Sequence, residues 1–272
     1  MTTNTTVSAV DNPALANQLS AQALAQAEQK AAFSEPTITP PSDPHVELLA
    51  GFQEPFGDFI STAEVRELNG ADEEAVARVN DLSKGLMLIL ERAVTKLGDK
   101  KTDKEVLDAL LAGDRELLLL AIRKQTFGSD VTVQGAFCEE CPDEMTLTID
   151  LDKDVKMKKL EGESVFNVAC NAGSVKVHLP TGNTQKQLVN SGNKTAPELD
   201  SIVLKSCVLE INGQAVIDPN AVLKLSIKDR RTILNAISER NPGPQLNSIK
   251  KECPNCGREV PLPLTLADLF QS

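Results

Sequence analysis

Two short cysteine motifs constrain the fold of this chain more than any other feature of its sequence. Cys138 and Cys141 form one CxxC motif, and Cys253 and Cys256 form a second, which Gly257 follows directly. Two residues between the cysteines let both sulfurs point toward one atom, and the glycine lets the backbone turn with a positive φ. Two such motifs supply the four thiolates of a closed tetrahedral zinc site. The sequence therefore predicts that they meet in the folded protein.

The segments around each motif indicate the structural unit that carries the site. Apolar and polar residues alternate in residues 131–133 and 146–150, so the first motif is predicted to lie at the tip of a β-hairpin. The second motif also lies between extended segments, as in a zinc ribbon. However, 111 residues separate Cys141 from Cys253. We therefore expect a split zinc-ribbon-like β unit with four cysteine ligands and a helical insertion between its halves.

Other uses of the cysteines remain open at this level. A CxxC motif can be a redox pair, but such a pair normally opens a helix, and Glu139 and Glu140 would oppose thiolate formation. Four thiolates can also hold an iron–sulfur cluster, or the cysteines can stay unmetallated. We favour a structural Zn²⁺, because four thiolates leave no open coordination position for a catalytic water. Cys170 and Cys207 lie among apolar residues and are predicted to be small buried side chains.

The composition narrows the function classes. The 272 residues carry 39 Asp and Glu against 28 Lys and Arg, a net charge of −11, which opposes binding to nucleic acid through bulk electrostatics. The chain has no Trp or Tyr on which bases would stack. No apolar run approaches the roughly 20 residues of a membrane helix, and the N-terminus lacks the pattern of a signal peptide. We expect a protein that is soluble and not secreted, with cysteines that are free or metal-bound.

The pattern along the chain predicts an α+β protein in three parts. Residues 1–45, rich in Thr, Ala, Gln and Pro, are predicted to be a flexible N-terminal arm and Pro-rich linker. Residues 46–127 are predicted to form a mainly helical subdomain. Residues 128–272 are predicted to form the split zinc-ribbon domain, with an α/β insertion between its halves.

Apolar spacing predicts the individual elements. One helix is expected from Asp72 to Leu97, where Gly98 would stop it. A nearly all-apolar, deeply buried helix is expected after Asp114. In the insertion, a hairpin is predicted to turn at Asn212-Gly213, and a long amphipathic helix is predicted from Asp218-Pro219 to Asn241.

The sequence offers little for catalysis. With only His45 and His178, no Ser/His/Asp or Cys/His constellation is evident, and no glycine pattern of a nucleotide site occurs. His178 lies on a predicted strand and is expected to be solvent-facing or hydrogen-bonded. The acidic runs are typical of solvated surface. We predict that the protein is not an enzyme.

Several segments, taken in order, resemble a known family. They are Gly113-Asp114-Arg115-Glu116, Thr126-Phe127-Gly128, the first CxxC motif, residues 147–151, His178-Leu179-Pro180-Thr181-Gly182, Cys253 to Gly257, residues 261–264 and residues 266–270. From Thr62 to Ser272 the chain is similar to the baseplate hub assembly chaperones and tail hub proteins of T-even-type contractile phages. Residues 65–68 are also similar to tail assembly chaperones of other contractile-tailed phages.

The resemblance implies a noncatalytic role in building or forming the tail hub, with baseplate or tail hub proteins as partners. It implies work in the host cytoplasm during assembly, and it leaves open whether the protein stays in the virion tail. The alternative is a zinc-ribbon module that binds nucleic acid or a transcription complex. Basic patches for that role would come from residues 153–159 and 228–231, although the net charge opposes it.

Overall fold

The computed structural model describes residues 45–54, 57–79 and 81–270. The predicted N-terminal arm and linker, residues 1–45, lie outside these ranges except for His45. Within them helices and strands are both abundant, which confirms the predicted α+β class. No helix of the described ranges combines the length and the apolar character needed to cross a membrane.

The described part of residues 45–127 combines helices with an antiparallel sheet. The strands, paired in chain order, are β1 (His45–Gln53), β2 (Phe59–Val65), β3 (Val94–Leu97) and β4 (Lys100–Lys101). The helices are α1 (Gly70–Ala77), α2 (Leu82–Ala93), α3 (Lys104–Ala109) and α4 (Ala112–Phe127). Buried side chains of the sheet, such as Ala63 and Val65, pack against Leu90 of α2 and Ile122 of α4. We call this group of buried residues the first core.

The single helix predicted for residues 72–97 was wrong. The Asp81 side chain accepts the backbone N–H of Lys84 and begins a new helix, α2. That helix ends before Val94, which is extended and starts β3. Val94 and Thr95 are β-branched and favour a strand, and Gly98, at φ +59°, makes the turn into β4. The prediction failed because the apolar spacing continues across these changes of structure.

The first half of the ribbon follows α4. It is an antiparallel hairpin of β5 (Asp130–Cys138) and β6 (Cys141–Asp150), in agreement with the predicted hairpin. A short strand, β7 (Met157–Lys158), leads from it into the insertion.

The insertion has its own antiparallel sheet and helices. The strands are β8 (Val165–Cys170), β9 (Gly173–His178), β10 (Val208–Ile211) and β11 (Gln214–Ala215), and the helices are α5 (Gly182–Val189), α6 (Ala196–Cys207) and α7 (Ile227–Arg240). Val175 and Val177 of the sheet pack with Leu204 and Ile233 of the helices, in what we call the insertion core. The predicted hairpin turn is confirmed, with Asn212 and Gly213 at φ +52° and +76°.

The long helix predicted from residue 218 to residue 241 was wrong in its first third. Residues Pro219–Lys224 form a 3₁₀ helix, and Leu225 is extended. α7 begins only after Ser226, whose hydroxyl accepts the backbone N–H of Asp229. This side-chain cap starts a new helix within an apolar pattern that looks continuous.

The second half of the ribbon follows α7 in the chain. The strands are β12 (Gly243–Pro244), which pairs with β7, and β13 (Lys250–Glu252) and β14 (Glu259–Pro261), which form a hairpin. Leu147 and Ile149 of the first half pack with Ile249 and Val260 of the second, in what we call the ribbon core. The two halves of the unit, distant in sequence, therefore share one hydrophobic core.

α4 is the element that connects the three cores. Leu118 and Ile122 lie in the first core, Leu120 lies in the ribbon core, and Leu111, just before the helix, lies in the insertion core. A helix that is apolar on nearly all sides is buried on all sides, as the sequence predicted for this segment. The position of α4 sets where the hairpin that follows it begins.

Candidate metal centre

The first CxxC motif closes the β5–β6 hairpin. Cys138 and Cys141 are directly opposite each other as the last pair of the ladder, and Glu139 and Glu140 form the turn between them. Cys138 is buried and belongs to the ribbon core, whereas Cys141 is half-buried. The hairpin therefore holds both sulfurs at one end of the ribbon.

The second CxxC motif lies between β13 and β14. The Cys253 N–H donates to the Arg258 carbonyl at 2.7 Å, and the Gly257 N–H donates to the Cys253 carbonyl at 2.8 Å. Gly257 has φ +75°, the left-handed conformation that its lack of a Cβ makes accessible. The glycine predicted to shape this turn therefore has the expected backbone conformation.

The fold brings the four sulfurs into one cluster. All four Sγ atoms lie within 4.8 Å of one another. The Sγ atoms of Cys138 and Cys256 are 3.5 Å apart, and those of Cys141 and Cys253 are 3.7 Å apart. A tetrahedron with Zn–S bonds of about 2.3 Å has sulfur–sulfur edges of about 3.8 Å, whereas a disulfide needs about 2.05 Å. The spacing and the donor set fit a tetrahedral metal site.

The environment of the sulfurs shifts their pKa values in different directions. The pKa of Cys141 is raised to about 12, first by interaction with the Cys256 thiol and then by desolvation. Desolvation also acts on Cys253, yet its pKa is lowered to about 7, because the backbone N–H groups of Asn255 and Cys256 donate to its sulfur. These amides favour the thiolate, which is the form that binds metals. A divalent cation among the sulfurs would favour ionisation of all four.

An ion pair joins the two motifs at the surface. Arg258 Nη2 lies 3.0 Å from Glu140 Oε1, and both side chains are about half exposed. Exposed pairs of this kind contribute at most about 1 kcal/mol, so the pair orients the motifs more than it holds them together. The two halves of the ribbon are held together mainly by the ribbon core and by the cluster of four cysteines.

The cysteines outside the motifs do not reach this cluster. Cys207 is buried in the insertion core, and burial raises its pKa to about 12. Cys170 is half-buried at the end of β8, and burial also raises its pKa. His178, on β9, has both ring nitrogens at hydrogen-bond distance from carbonyl oxygens, of Leu179 at 2.6 Å and Ser206 at 2.7 Å.

A group of buried charges at the start of α4 was not predicted from the sequence. Asp114 is fully buried, and its carboxylate accepts the backbone N–H groups of Leu49, Ala50 and Gly51 at 2.7, 3.2 and 3.0 Å. They belong to β1, whose pairing with β2 shifts register at this point. The available signal was a set of charged residues that open an otherwise apolar helix. Their role here is to join α4 to the sheet.

The neighbouring residues join α4 to the rest of the molecule. Arg115 is 2% exposed and donates to the Leu107 carbonyl at 2.7 Å and to Gln185 Oε1 at 2.8 Å. Gly182 packs against it, because a Cβ at that position would lie 2.7 Å from Arg115 Nη1. The turn from Leu179 to Gly182 thus contacts the start of α4. Both segments are among those that resemble the phage family.

The basic patches of the alternative function are partly occupied by internal contacts. Lys153 pairs with Asp150 at 2.5 Å, and Lys158 donates to the Glu239 carbonyl. Arg230 donates to the Ser201 hydroxyl at 2.8 Å and to the Pro197 carbonyl at 3.2 Å. These contacts reduce the charge that either patch offers to a phosphate backbone.

Comparisons with known proteins place the chain in a family. No curated protein and no solved structure matches it significantly. A family model described as T4 bacteriophage base plate protein matches residues 61–271, which include α4, the insertion and all four cysteines of the cluster. This range covers most of the chain and agrees with the resemblance seen in the sequence. The chain therefore belongs to the T4 bacteriophage base plate protein family.

Proposed function

We propose that this protein is a noncatalytic assembly or structural component of the baseplate hub, stabilised by one structural Zn²⁺. The family match over residues 61–271 is the observation that carries the proposal, and it supports a structural role in the baseplate. The hub is the finer assignment, and it rests on the resemblance in the sequence. The partners would be other baseplate or hub proteins, met in the host cytoplasm during assembly.

The four motif cysteines would hold the zinc. Each contributes one thiolate, so the coordination shell is complete with protein ligands and the metal supplies cross-linking rather than catalysis. The site joins two hairpins that 111 intervening residues separate. Because the free-energy cost of closing a loop grows only as about 1.5 RT ln n, a long insertion is compatible with such a cross-link.

The protein would act through its surface. Several large apolar side chains are exposed. They lie in the sheet of the first core, at the end of α4, in the ribbon hairpin, between β11 and α7 and at the start of α7: Phe59, Phe127, Phe137, Ile217, Leu223 and Ile227. Exposed apolar side chains amid a net charge of −11 suit contacts with proteins better than contacts with phosphates. These residues give baseplate partners more than one place to bind.

Association with baseplates tests the proposed function. A tagged copy of the full chain would be expressed in phage-infected host cells, and baseplate intermediates would be separated by sedimentation. We expect the protein to cosediment with baseplate or hub intermediates. Mass spectrometry of purified virions then distinguishes a component that stays in the tail from one that leaves. A protein found only at the top of the gradient, and absent from virions, contradicts the proposal.

Elemental analysis tests the metal separately. We expect about one zinc per chain after purification, and loss of that zinc in the variant Cys253→Ser. Cys170→Ser removes a thiol outside the cluster and is the matched control, which should retain the metal. Iron and inorganic sulfide in place of zinc would reassign the site to an iron–sulfur cluster.

A further inference from the structure

A cavity of about 550 Å³ lies where the insertion core meets the ribbon core. Its apolar wall comes from α6, α7 and the second half of the ribbon: Val203, Leu234, Ile237, Leu246, Leu264 and Leu266. Its polar lining includes Glu116 of α4 and Asn241 at the end of α7. Both the size and the mixed lining are typical of a binding pocket.

Among the described residues, Glu116 of this cavity has no counter-ion. It makes no ion pair and no side-chain hydrogen bond with the residues that the structure describes, although its neighbours Asp114 and Arg115 make several. Burial raises the pKa of its carboxyl group to about 7. A partly buried carboxylate costs free energy unless donors or a positive charge compensate it.

Asn241 provides a second unmatched acceptor in the same cavity. Its backbone N–H donates to the Ile237 carbonyl and ends α7. Its side-chain Oδ1 is buried and has no hydrogen-bond donor among the described residues. Buried acceptors of native proteins nearly always have a donor, so Asn241 Oδ1, in the same cavity as the half-buried Glu116 carboxylate, indicates that a donor comes from outside the chain.

We propose that this cavity receives an arginine side chain of a partner baseplate protein, with the guanidinium group bound by Glu116 and Asn241. The proposal deepens the proposed function, since it names the chemistry by which one partner is recognised. A guanidinium carries a fixed positive charge that complements the Glu116 carboxylate, and its five N–H donors exceed the number that these two acceptors require. Its aliphatic stem would contact apolar side chains such as Leu234 and Leu264.

Other occupants fit the cavity less well. A divalent metal ion needs several oxygen ligands, and the lining of the cavity offers one carboxylate. A lysine ammonium brings the same charge but is more strongly hydrated than a guanidinium and loses more hydration free energy on entering a partly apolar cavity. The net charge of −11 attracts basic partner segments to the protein as a whole.

Two short peptides provide the direct test. One is acetyl-Leu-Arg-Leu-amide, and the other carries citrulline, the neutral isostere of arginine. Each would be titrated into the full-length protein, with binding followed through the NMR signals of the Glu116 carboxyl carbon and the Asn241 side-chain amide. We expect the arginine peptide to shift both signals and to bind at least about tenfold more tightly than the citrulline peptide.

Variants assign the effect to the cavity. Glu116→Gln should reduce binding of the arginine peptide to that of the citrulline peptide, and Asn241→Leu should weaken it several-fold. Glu105→Gln, which removes an exposed carboxylate of α3, is the matched control and should bind like the parent. Cooperative unfolding of each variant, with the melting temperature of Glu116→Gln at or above that of the parent, would exclude misfolding as the cause.

Three results would overturn the proposal: no arginine-specific binding up to about 10 mM peptide, equal binding of the two peptides, or unchanged binding by Glu116→Gln. The cosedimentation experiment keeps this outcome apart from the proposed function. If the parent and Glu116→Gln associate with baseplates equally well, the arginine pocket is wrong and the baseplate role stands. If the parent itself does not associate, the baseplate role is wrong.

Discussion

Consecutive charged residues at the start of α4 have separate structural roles. Asp114 binds three backbone N–H groups of β1, whereas Arg115 binds groups of α3 and α5. Glu116 has no such partner in the part of the chain that the structure describes, and it lines the cavity. At the residue scale, the first two stabilise the junction of α4 with its neighbours, and the third is available for a ligand.

Replacing Asp114 tests the first of these roles. Asp114→Ala should lower the free energy of unfolding by about 3 kcal/mol or more, because three buried N–H groups lose their acceptor. Asp114→Asn keeps one acceptor oxygen and should cost less. Asp200→Ala, at an exposed position of α6, is the control. Denaturant unfolding measures all three, and an effect of Asp114→Ala no larger than that of the control would contradict this role.

Glu116 should make stability depend on pH. The ordinary pKa of a glutamate is 4.5, and in the folded protein that of Glu116 is raised to about 7 by burial. The folded state therefore holds a proton between these values that the unfolded state has lost, so the contribution of this residue to stability falls as the pH rises from about 4.5 to about 7. Above pH 7 its full destabilising effect is present.

The variant Glu116→Gln isolates that effect. It should be more stable than the parent at pH 8, by on the order of 2 kcal/mol, and the difference should shrink toward pH 5. Thermal unfolding at a series of pH values, with Glu105→Gln as the control, measures the difference. A constant difference between parent and variant across this pH range would show that the carboxylate is not buried as described.

At the scale of elements, α4 and the chain after α7 approach each other without intervening side chains. A Cβ on Gly113 would lie 2.5 Å from the carbonyl carbon of Pro242 and would overlap its oxygen. Gly243, at φ +136°, lies beside the same glycine. Two backbone segments that touch in this way fix the angle between the first core and the return of the ribbon.

Gly113→Ala should disturb this contact strongly. We expect a loss of about 3 kcal/mol or more, because the added methyl group meets backbone atoms and not a movable side chain. Gly70→Ala is the matched control, since no atom of the described residues lies within 4 Å of the added Cβ, and it should change stability by less than about 1 kcal/mol. Melting temperatures of the two variants make the comparison, and similar values would rule out the close approach.

The ribbon shows how two elements share one site. Each hairpin places one buried and one more exposed cysteine at its end: Cys138 with Cys141, and Cys253 with Cys256. Sulfur contacts of 3.5 and 3.7 Å run between the two hairpins. A metal at their centre would therefore cross-link the two halves of the ribbon.

At the scale of the whole molecule, the predicted division at residue 127 remains a proposal. The first core and the insertion core each contain their own buried apolar side chains, whereas the ribbon core is shared by two distant halves of the chain. We therefore expect a bound metal to stabilise the ribbon core more than the other two cores. The other two cores contain no residue of the sulfur cluster.

Chelation tests this division. After removal of the metal, amide hydrogen exchange should accelerate in β5, β6, β13 and β14, while β2, β3, β8 and β9 keep most of their protection. Cys170→Ser should respond to the chelator as the parent does. A uniform loss of protection would mean that the three cores unfold as one unit, and no change would mean that the ribbon core is stable without metal.

Local sequence patterns were sufficient for several features. The CxxC spacing and Gly257 identified the four clustered cysteines, and alternation identified the β5–β6 hairpin. The Asn212-Gly213 turn also followed from neighbouring residues. These predictions succeeded because turn chemistry, capping and side-chain periodicity act over a few residues.

Other features depend on residues far apart in the chain. β1 was not predicted, because its three N–H groups find their acceptor in Asp114, about 65 positions away. The break at Val94 was missed because pairing with β2 selects strand over helix there. The cavity could not be predicted from the sequence either. Glu116 and Asn241 line one cavity because Gly113 packs closely against residues 242–243.

Local sequence was enough to identify four cysteines that could bind one metal ion, an acidic net charge and a family resemblance carried by short segments. The tertiary structure alone decided which of its charged residues are satisfied and which are left for a partner. The physical reason is that ligand type and turn geometry are local properties. Burial, and the matching of donors with acceptors, depend on the packing of segments that the chain holds more than 100 residues apart, such as Glu116 and Asn241.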